Sequence, residues 1–388
     1  MGIKLGNICR FQSGGTPSKG KPEFFNGTIP WITTTALNGG NIGKESAVDW
    51  ISEQAIKESA AKIVPAFSIM VGTRVGVGKV AINTMSMSTS QDIISLLDID
   101  ESIWSKAFLC KFLQAKGTFL NAQARGATIK GIKIDVLSEL ELPEIPIEEQ
   151  QHISQIIDKV KTTIAIRQRQ LQKLDELVKA RFVEMFGDTE FNTMQWPTKK
   201  LSELCDVGSS KRIYQNELST EGIPFLRISD LNERIDNIEN APELFIPINR
   251  YNKLKENGLV PTAGDILVTS RGTLGRCYIV RPEDEFYFQD GMISWLSDLN
   301  NQITSLYLSQ LFAMSEIQKQ IANSQAGSTV AYLSISMLKK LNIMLPPLDL
   351  QNQFVAFVEQ TDKSKIVVQK ALDEAQLLFD SLMQQYFL

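Results

Sequence analysis

The sequence predicts an α+β protein: two similar mixed α/β globular domains joined by two long antiparallel coiled-coil helices, with a pseudo-two-fold internal repeat. Three observations predict it. The stretch 147–186 places Ile153, Ile157, Val160, Ile164, Leu171, Leu174, Val178 and Met185 on a heptad seam, interrupted where Arg167 and Arg181 take seam positions. From Leu348 to the C-terminus, Phe354, Val358, Val368, Leu372, Ala375, Phe379, Leu382 and Tyr386 repeat that seam, so that Ile153 matches Phe354 and Leu171 matches Leu372. Short motifs outside these stretches also occur twice and in the same order. A period of about 200 residues is that of a duplicated domain plus rod, not of a solenoid.

In chain order, the first globular domain is expected over 1–146, the first rod over 147–187, the second domain over 188–347 and the second rod over 348–388. Lys4-Leu5 ahead of Cys9 returns as Lys200-Leu201 ahead of Cys205, and Ile29-Pro30-Trp31-Ile32 returns as Ile223-Pro224-Phe225-Leu226. Apolar, β-branched strands around a Gly-rich turn are expected over 69–82 and 266–279. The stretches 103–120 and 303–322 have helical periodicity and mixed charge, and read as surface helices covering a sheet. Gly126-Ala127-Thr128-Ile129 parallels Gly327-Ser328-Thr329-Val330. Pro143 and Pro146 precede the first rod and Pro347 the second; Glu148 and Glu149 sit at the positive end of the first helix dipole, and Gly187 stops that helix. At 1.5 Å per residue each rod is about 60 Å long and cannot bury its stripe alone, so the two are expected to pair through their seams.

A chain of 388 residues with 43% hydrophobic and 22% charged residues is ordinary for a globular protein of two or three domains. Its net charge of -4 gives no global basic signature, so nucleic-acid binding has to come from local clusters. Cys9, Cys110, Cys205 and Cys277 stand far apart with no CxxC, and His152 is the single histidine, so no zinc signature can be assembled. The cysteines read as reduced, buried thiols of a cytoplasmic protein. No basic leader and no spanning apolar run points to a membrane. One histidine is too few for a Ser-His-Asp or His-metal site, and His152 reads as a surface or packing residue. Asp92, Asp265 and Asp290 beside turns read as loop braces rather than magnesium ligands. Neither an S-adenosylmethionine-type Gly-rich fingerprint nor an Asn/Asp-Pro-Pro-aromatic tetrapeptide is present, and no catalytic or metal residue is assigned.

The run from Gly72 to Lys79 fails as a phosphate-binding loop, because five residues rather than four separate Gly72 from Gly78-Lys79, and Val80 follows. With its counterpart Ser270-Arg271-Gly272-Thr273-Leu274-Gly275-Arg276 it reads better as a basic Gly-rich hairpin able to approach a duplex closely; a tight turn with a solvated Arg is the plain alternative. The candidates here are Arg74, Lys79, Ser270, Arg271, Thr273 and Arg276. Ser13, Thr16 and Lys19, and likewise Ser209, Lys211 and Arg212, mix hydroxyls with cations in loops that suit phosphate oxygens and ordinary surface turns equally. Arg227, after the Pro224-Phe225-Leu226 strand, joins this set. Gln123, Arg125, Thr128 and Lys130 in the first unit, and Gln325, Ser328, Thr329 and Tyr332 in the second, lie in matched loops before each rod. Gln and Arg can bond adenine and guanine edges, so matched loops with unmatched residues could read different bases.

Taken in their order and duplication, these motifs resemble the specificity (S) subunit of type I restriction-modification systems over essentially the whole chain. The rod entries Leu142-Pro143-Glu144-Ile145-Pro146-Ile147-Glu148-Glu149-Gln150 and Leu345-Pro346-Pro347-Leu348-Asp349-Leu350-Gln351 contribute to the likeness. Two departures stand out: Ala66-Phe67-Ser68 where the second unit has Ala263-Gly264-Asp265, and a second rod entry without the Glu-Gln pair. The resemblance implies two target recognition domains, each reading one half of a bipartite double-stranded DNA target, with the rods fixing the gap. It implies docking of two methyltransferase (M) subunits and addition of restriction (R) subunits, which would use S-adenosylmethionine, ATP and magnesium while this chain has no cofactor or catalysis of its own. A rod of about 60 Å spans at most about 18 base pairs. A coiled-coil scaffold without DNA specificity would instead show no salt-dependent affinity for duplex, and a stand-alone DNA-modifying enzyme would turn over unaided.

Overall fold

The computed structural model describes residues 2–126, 130–238, 240–324 and 331–388. The chain divides into two units, one of Met1–Arg169 with Gln369–Leu388 and the other of Gln170–Val368, so each unit holds one globular domain and one end of each rod.

In the first unit a five-stranded sheet runs in the order Arg10–Ser13, Ile93–Leu97, Ile69–Gly72, Val80–Asn83, Asn41–Ile42, with only the last pair parallel. Its central strands are apolar on both faces because both faces are covered. Ile69, Val71, Ile94 and Leu96 point into one core, and Met70, Ile93 and Leu97 into another. A second sheet sets Ile29–Ile32 between Asp49–Ile51 and the parallel strand Met87–Thr89, with Ile63–Val64 beyond it. The second unit repeats the plan. Its main sheet runs Asp206–Gly208, Ile293–Ser297, Ile266–Thr269, Cys277–Ile279, and Ile223–Leu226 lies between Phe245–Ile246 and the parallel strand Tyr287–Phe288.

The recurring Lys-Leu opening has a structural cause. Ile3–Lys4 pairs with Glu141–Leu142, and Thr198–Lys200 with Asn342–Met344. Next in line, the fully buried Leu5 and Leu201 donate their N–H groups to the carbonyls of Leu140 and Leu341, both at 2.9 Å. The start of each domain is thereby zipped to the segment that feeds its rod.

The rods are the helices Ile147–Phe186 and Leu348–Phe387, as the periodicity predicts. Gly187 follows the first with φ +80° and donates its N–H to Val183 at 2.8 Å, the left-handed C-terminal cap that glycine permits. The Trp196 indole N–H caps the Phe186 carbonyl at 2.9 Å. Within each unit the rods run antiparallel. In the first, Lys161 lies 5.5 Å from the Phe379 ring while Ile153 and Ile157 share a core with Phe387. In the second, Asp175 pairs with Lys365 at 2.9 Å and the Phe182 and Phe354 rings are 5.3 Å apart. Ile153, Ile157, Val178, Phe354 and Val358 are buried; Val160, Ile164, Leu171, Leu174, Val368, Leu372, Phe379 and Leu382 are half-buried. Phe182, absent from the expected seam, is fully buried and stacks on Tyr307 at 5.6 Å.

The helical stretches before the rods differ from expectation. The residues 103–120 do not form one surface helix but two, Lys106–Ala115 and Gly117–Gln123, and in the first of them Phe108, Leu109, Cys110, Lys111, Phe112 and Leu113 are buried. It is sandwiched between sheet and rods: Phe108 lies 5.1 Å from the Phe387 ring, and Lys111 pairs with Asp158 at 2.9 Å. The second unit likewise has Ser305–Phe312 and Ser315–Ser324. Among the described residues, no helix is long and apolar enough to cross a membrane.

Candidate nucleic-acid interface

In both units the turn after the central strand is pressed against the following helix. Gly78 and Gly275 have φ of +80° and +78°; a Cβ on Gly78 would lie 2.8 Å from the Gly117 Cα, and one on Gly275 2.7 Å from the Ile321 side chain. Only glycine combines that conformation with that clearance. The hairpin tip is left exposed, and it carries Arg74 in one unit and Arg271 in the other.

A second segment then binds the hairpin. Ile132 donates its N–H to the Thr73 carbonyl at 2.8 Å, and Leu333 does the same to Ser270 at 3.0 Å. Arg125 and Gly131 exchange two backbone hydrogen bonds of 3.0 and 3.1 Å. As a result Arg74, Gln123 and Arg125 converge on one open pocket of about 550 Å³, whose wall also includes Gly131, Ile132, Lys133 and Val136. In the second unit Arg271 forms a β-bridge with Tyr332, and its guanidinium lies over the Tyr332 ring, 5.2 Å from the centroid.

The remaining candidates fall into distinct environments. Ser13, Thr16, Lys19, Lys79, Lys130, Lys211 and Thr273 are exposed. Among the described residues no carboxylate pairs with Lys19, Lys79, Arg125, Lys130, Lys211 or Arg271, while Arg74 approaches Asp92 at 3.9 Å. Three arginines are paired within the chain: the exposed Arg212 with Asp290 at 2.8 Å, Arg227 with Glu243 at 2.6 Å and with Asp230, and Arg276 with Asp236 and with Asn232 at 2.9 Å. Hydrogen bonding to Asp290 and to Glu243 raises the Arg212 and Arg227 guanidinium pKa further. The Ser209 hydroxyl donates to the Ile293 carbonyl at 2.9 Å. Ser270 is buried with its hydroxyl 2.7 Å from that of Ser294, and the Ser210 hydroxyl bonds the Phe288 carbonyl, also at 2.7 Å. Thr128, Gln325, Ser328 and Thr329 lie outside the described residues.

Sequence reasoning passed over a matched pair that fixes where each rod starts. Gln150, 1% exposed, accepts the Ser105 N–H at 2.9 Å and donates to the carbonyls of Ile103 and Ile145 at 3.0 and 2.9 Å. Gln351, fully buried, accepts the Thr304 N–H at 2.9 Å and donates to Gln302 and Pro346 at 2.9 and 3.0 Å. Ser105 and Thr304 in turn cap the helices that carry the buried face of each domain. The signal was the equal distance of each Gln from Pro146 and Pro347. The second rod entry keeps the glutamine and loses only the glutamate, replaced by Leu350.

Two domains of one design, each presenting exposed cations at its hairpin and the segment bound to it, define a binding protein with two related reading heads. The family model described as type I restriction modification DNA specificity domain matches the chain twice, over residues 2–176 and 194–375. The chain belongs to this family of DNA specificity subunits, and its two-domain architecture fits recognition of a bipartite target. It is similar to the type I restriction enzyme MjaIX specificity subunit of Methanocaldococcus jannaschii, 24% identical over 401 residues that cover 98% of this chain and 90% of the relative. It is also similar to the EcoR124I/EcoR124II specificity subunit of Escherichia coli, 33% identical over 165 residues, 41% of this chain and 40% of the relative. The solved type I restriction-modification S subunit from M. genitalium shares the fold with a TM-score of 0.60 at 18% identity, covering 100% of this chain and 96% of that one. A structure described as "Structural basis underlying complex assembly and conformational transition of the type I R-M system" shares it with a TM-score of 0.62 at 15% identity, covering 100% and 97%.

Proposed function

We propose that each globular domain reads one half of a split duplex target through its hairpin and the segment bound to it, that the rods fix the gap, and that the chain performs no chemistry itself. One observation carries this reading: the two domains bring the same two backbone segments together but arm them differently, with Arg74, Gln123 and Arg125 in one and Arg271 and Tyr332 in the other. Equal frames with unequal donors are what two different half-sites require. Lys19, Lys79, Lys130 and Lys211, exposed and unpaired by carboxylates among the described residues, would meet phosphates and set register without reading bases. Arg212, Arg227 and Arg276, each hydrogen-bonded to a carboxylate, would brace loops, whereas the looser approach of Arg74 to Asp92 at 3.9 Å leaves Arg74 able to turn to DNA.

The rods also expose large apolar side chains, with Ile366 and Val367 each at 69% and Leu377 at 73%. Such residues support docking of two methyltransferase subunits, with restriction subunits added for cleavage. Those partners would bring S-adenosylmethionine, ATP and magnesium. They would also supply much of the positive surface that a chain of net charge -4 lacks, in the cytoplasm where the DNA is. The test is selection from a randomised duplex library by the full chain assembled with its methyltransferase subunits. Enrichment of two short motifs at one fixed gap is expected; a single contiguous motif, or none, would overturn the reading.

A further inference from the structure

We infer that Arg271, clamped by Tyr332, reads a guanine in the second half-site, whereas the first domain reads its half without such a clamp. This rests on the half-site reading proposed above. The two backbones superpose in their hydrogen bonding: Ile132 N–H to Thr73 and Leu333 N–H to Ser270 put Gly131 and Tyr332 in equivalent places, each beside its hairpin arginine. The side chains there have parted company. A Cβ on Gly131 would lie 2.9 Å from the Arg74 Cγ and 2.9 Å from the Thr73 carbonyl oxygen, so Arg74 itself fills that space, and its head turns toward Asp92 at 3.9 Å. In the second domain the ring of Tyr332 occupies the place and Arg271 lies over it at 5.2 Å.

The consequence is electrostatic and geometric. Arg271 is exposed and, among the described residues, no carboxylate neutralises it. An aromatic face takes up the flat side of a guanidinium and leaves the in-plane N–H donors unused; these form the rigid fork that matches O6 and N7 of guanine in a major groove. The ring also holds the arginine in few rotamers before DNA arrives, which lowers the ordering cost of binding. Among the described residues the approach is open: Gly272, next to Arg271, has φ +71°, and a Cβ placed on it would meet none of their atoms within 4 Å. A phosphate contact would need the charge but not the clamp.

The experiment is binding of the full chain, assembled with its methyltransferase subunits, to its selected target and to every single-base variant. Tyr332→Gly, which keeps the charge and removes the ring, is expected to lower the preference at one guanine of the second half-site about tenfold, with the first half-site unchanged. Tyr332→Phe should keep the preference, which guards against loss by misfolding. Arg271→Lys should lose it, because a point charge has no fork. Unchanged base preference in Tyr332→Gly would overturn the inference while leaving two-part recognition intact. So would uniform weakening over all sequences in Arg271→Lys, or a second half-site without a preferred guanine. Absence of any two-part preference in the unsubstituted chain would sink the half-site reading and the inference together.

Discussion

A buried glutamine amide offers one acceptor and two donors that water cannot reach, so every one of them needs a partner inside. Gln351 meets all three with the backbone of Gln302, Thr304 and Pro346. Gln351→Leu keeps the volume but strands those groups, and should cost about 3 kcal/mol, read as a lower midpoint in urea denaturation. Gln150→Leu should do the same in the other unit. Neither residue is legible from periodicity, because a polar side chain in a helix pattern is read as solvent-facing. Ser209 and Ser270 fail in the same way: a hydroxyl in a loop reads as surface, and here it bonds the interior. The cysteines give a second prediction. Burial pushes the Cys205 thiol up to about 12 and that of Cys110 to about 11, from 9.0. Each stays neutral in the folded chain where it would ionise in the unfolded one, so stability is intact below pH 9 and falls as pH rises from about 9 toward 11 to 12. Denaturation midpoints measured across that range should decline, and alkylation of these two thiols in the folded chain near pH 8 should be slow.

The rods were legible as two long helices because a repeating seam has a period, and because Gly187 and the prolines mark where it stops and starts, while the buried Phe182 fell outside the expected seam. The helices packed under them were not. Nothing in the residues 103–120 announces that the helix breaks at Lys116, a break needed to let Gly117 meet Gly78, or that its apolar face is covered twice, by sheet and by rod. Strand order was likewise hidden, since Ile69–Gly72 and Ile93–Leu97 are apolar on both faces and carry no alternation to orient them. The rod ends supply most of that second cover. Phe387 enters the first unit beside Phe108 and Phe112, and Phe186 enters the second against Tyr307 and Phe354. Phe387→Ala should destabilise the first unit, and Phe186→Ala the second, by about 3 to 5 kcal/mol each. Hydrogen exchange resolved along the chain would separate the two, with protection lost mainly in the sheet of the unit that carries the substitution.

At the scale of the whole chain, each rod belongs to both units, with its own two ends packed into different domains. That division gives the ruler hypothesis a direct test. The residues near 169–170 and 368–369, where one unit gives way to the other, are exposed or half-buried. One heptad inserted into each rod there keeps the seam in register and adds about 10 Å of helix, close to three base pairs of duplex. The expected outcome in library selection is the same two half-sites at a gap about three base pairs longer. A heptad in one rod alone would force the seams out of step, and should weaken two-part binding without shifting the gap. If both half-sites survive the double insertion at the original gap, the rods do not measure the distance, and spacing has to be set by whatever else grips the DNA.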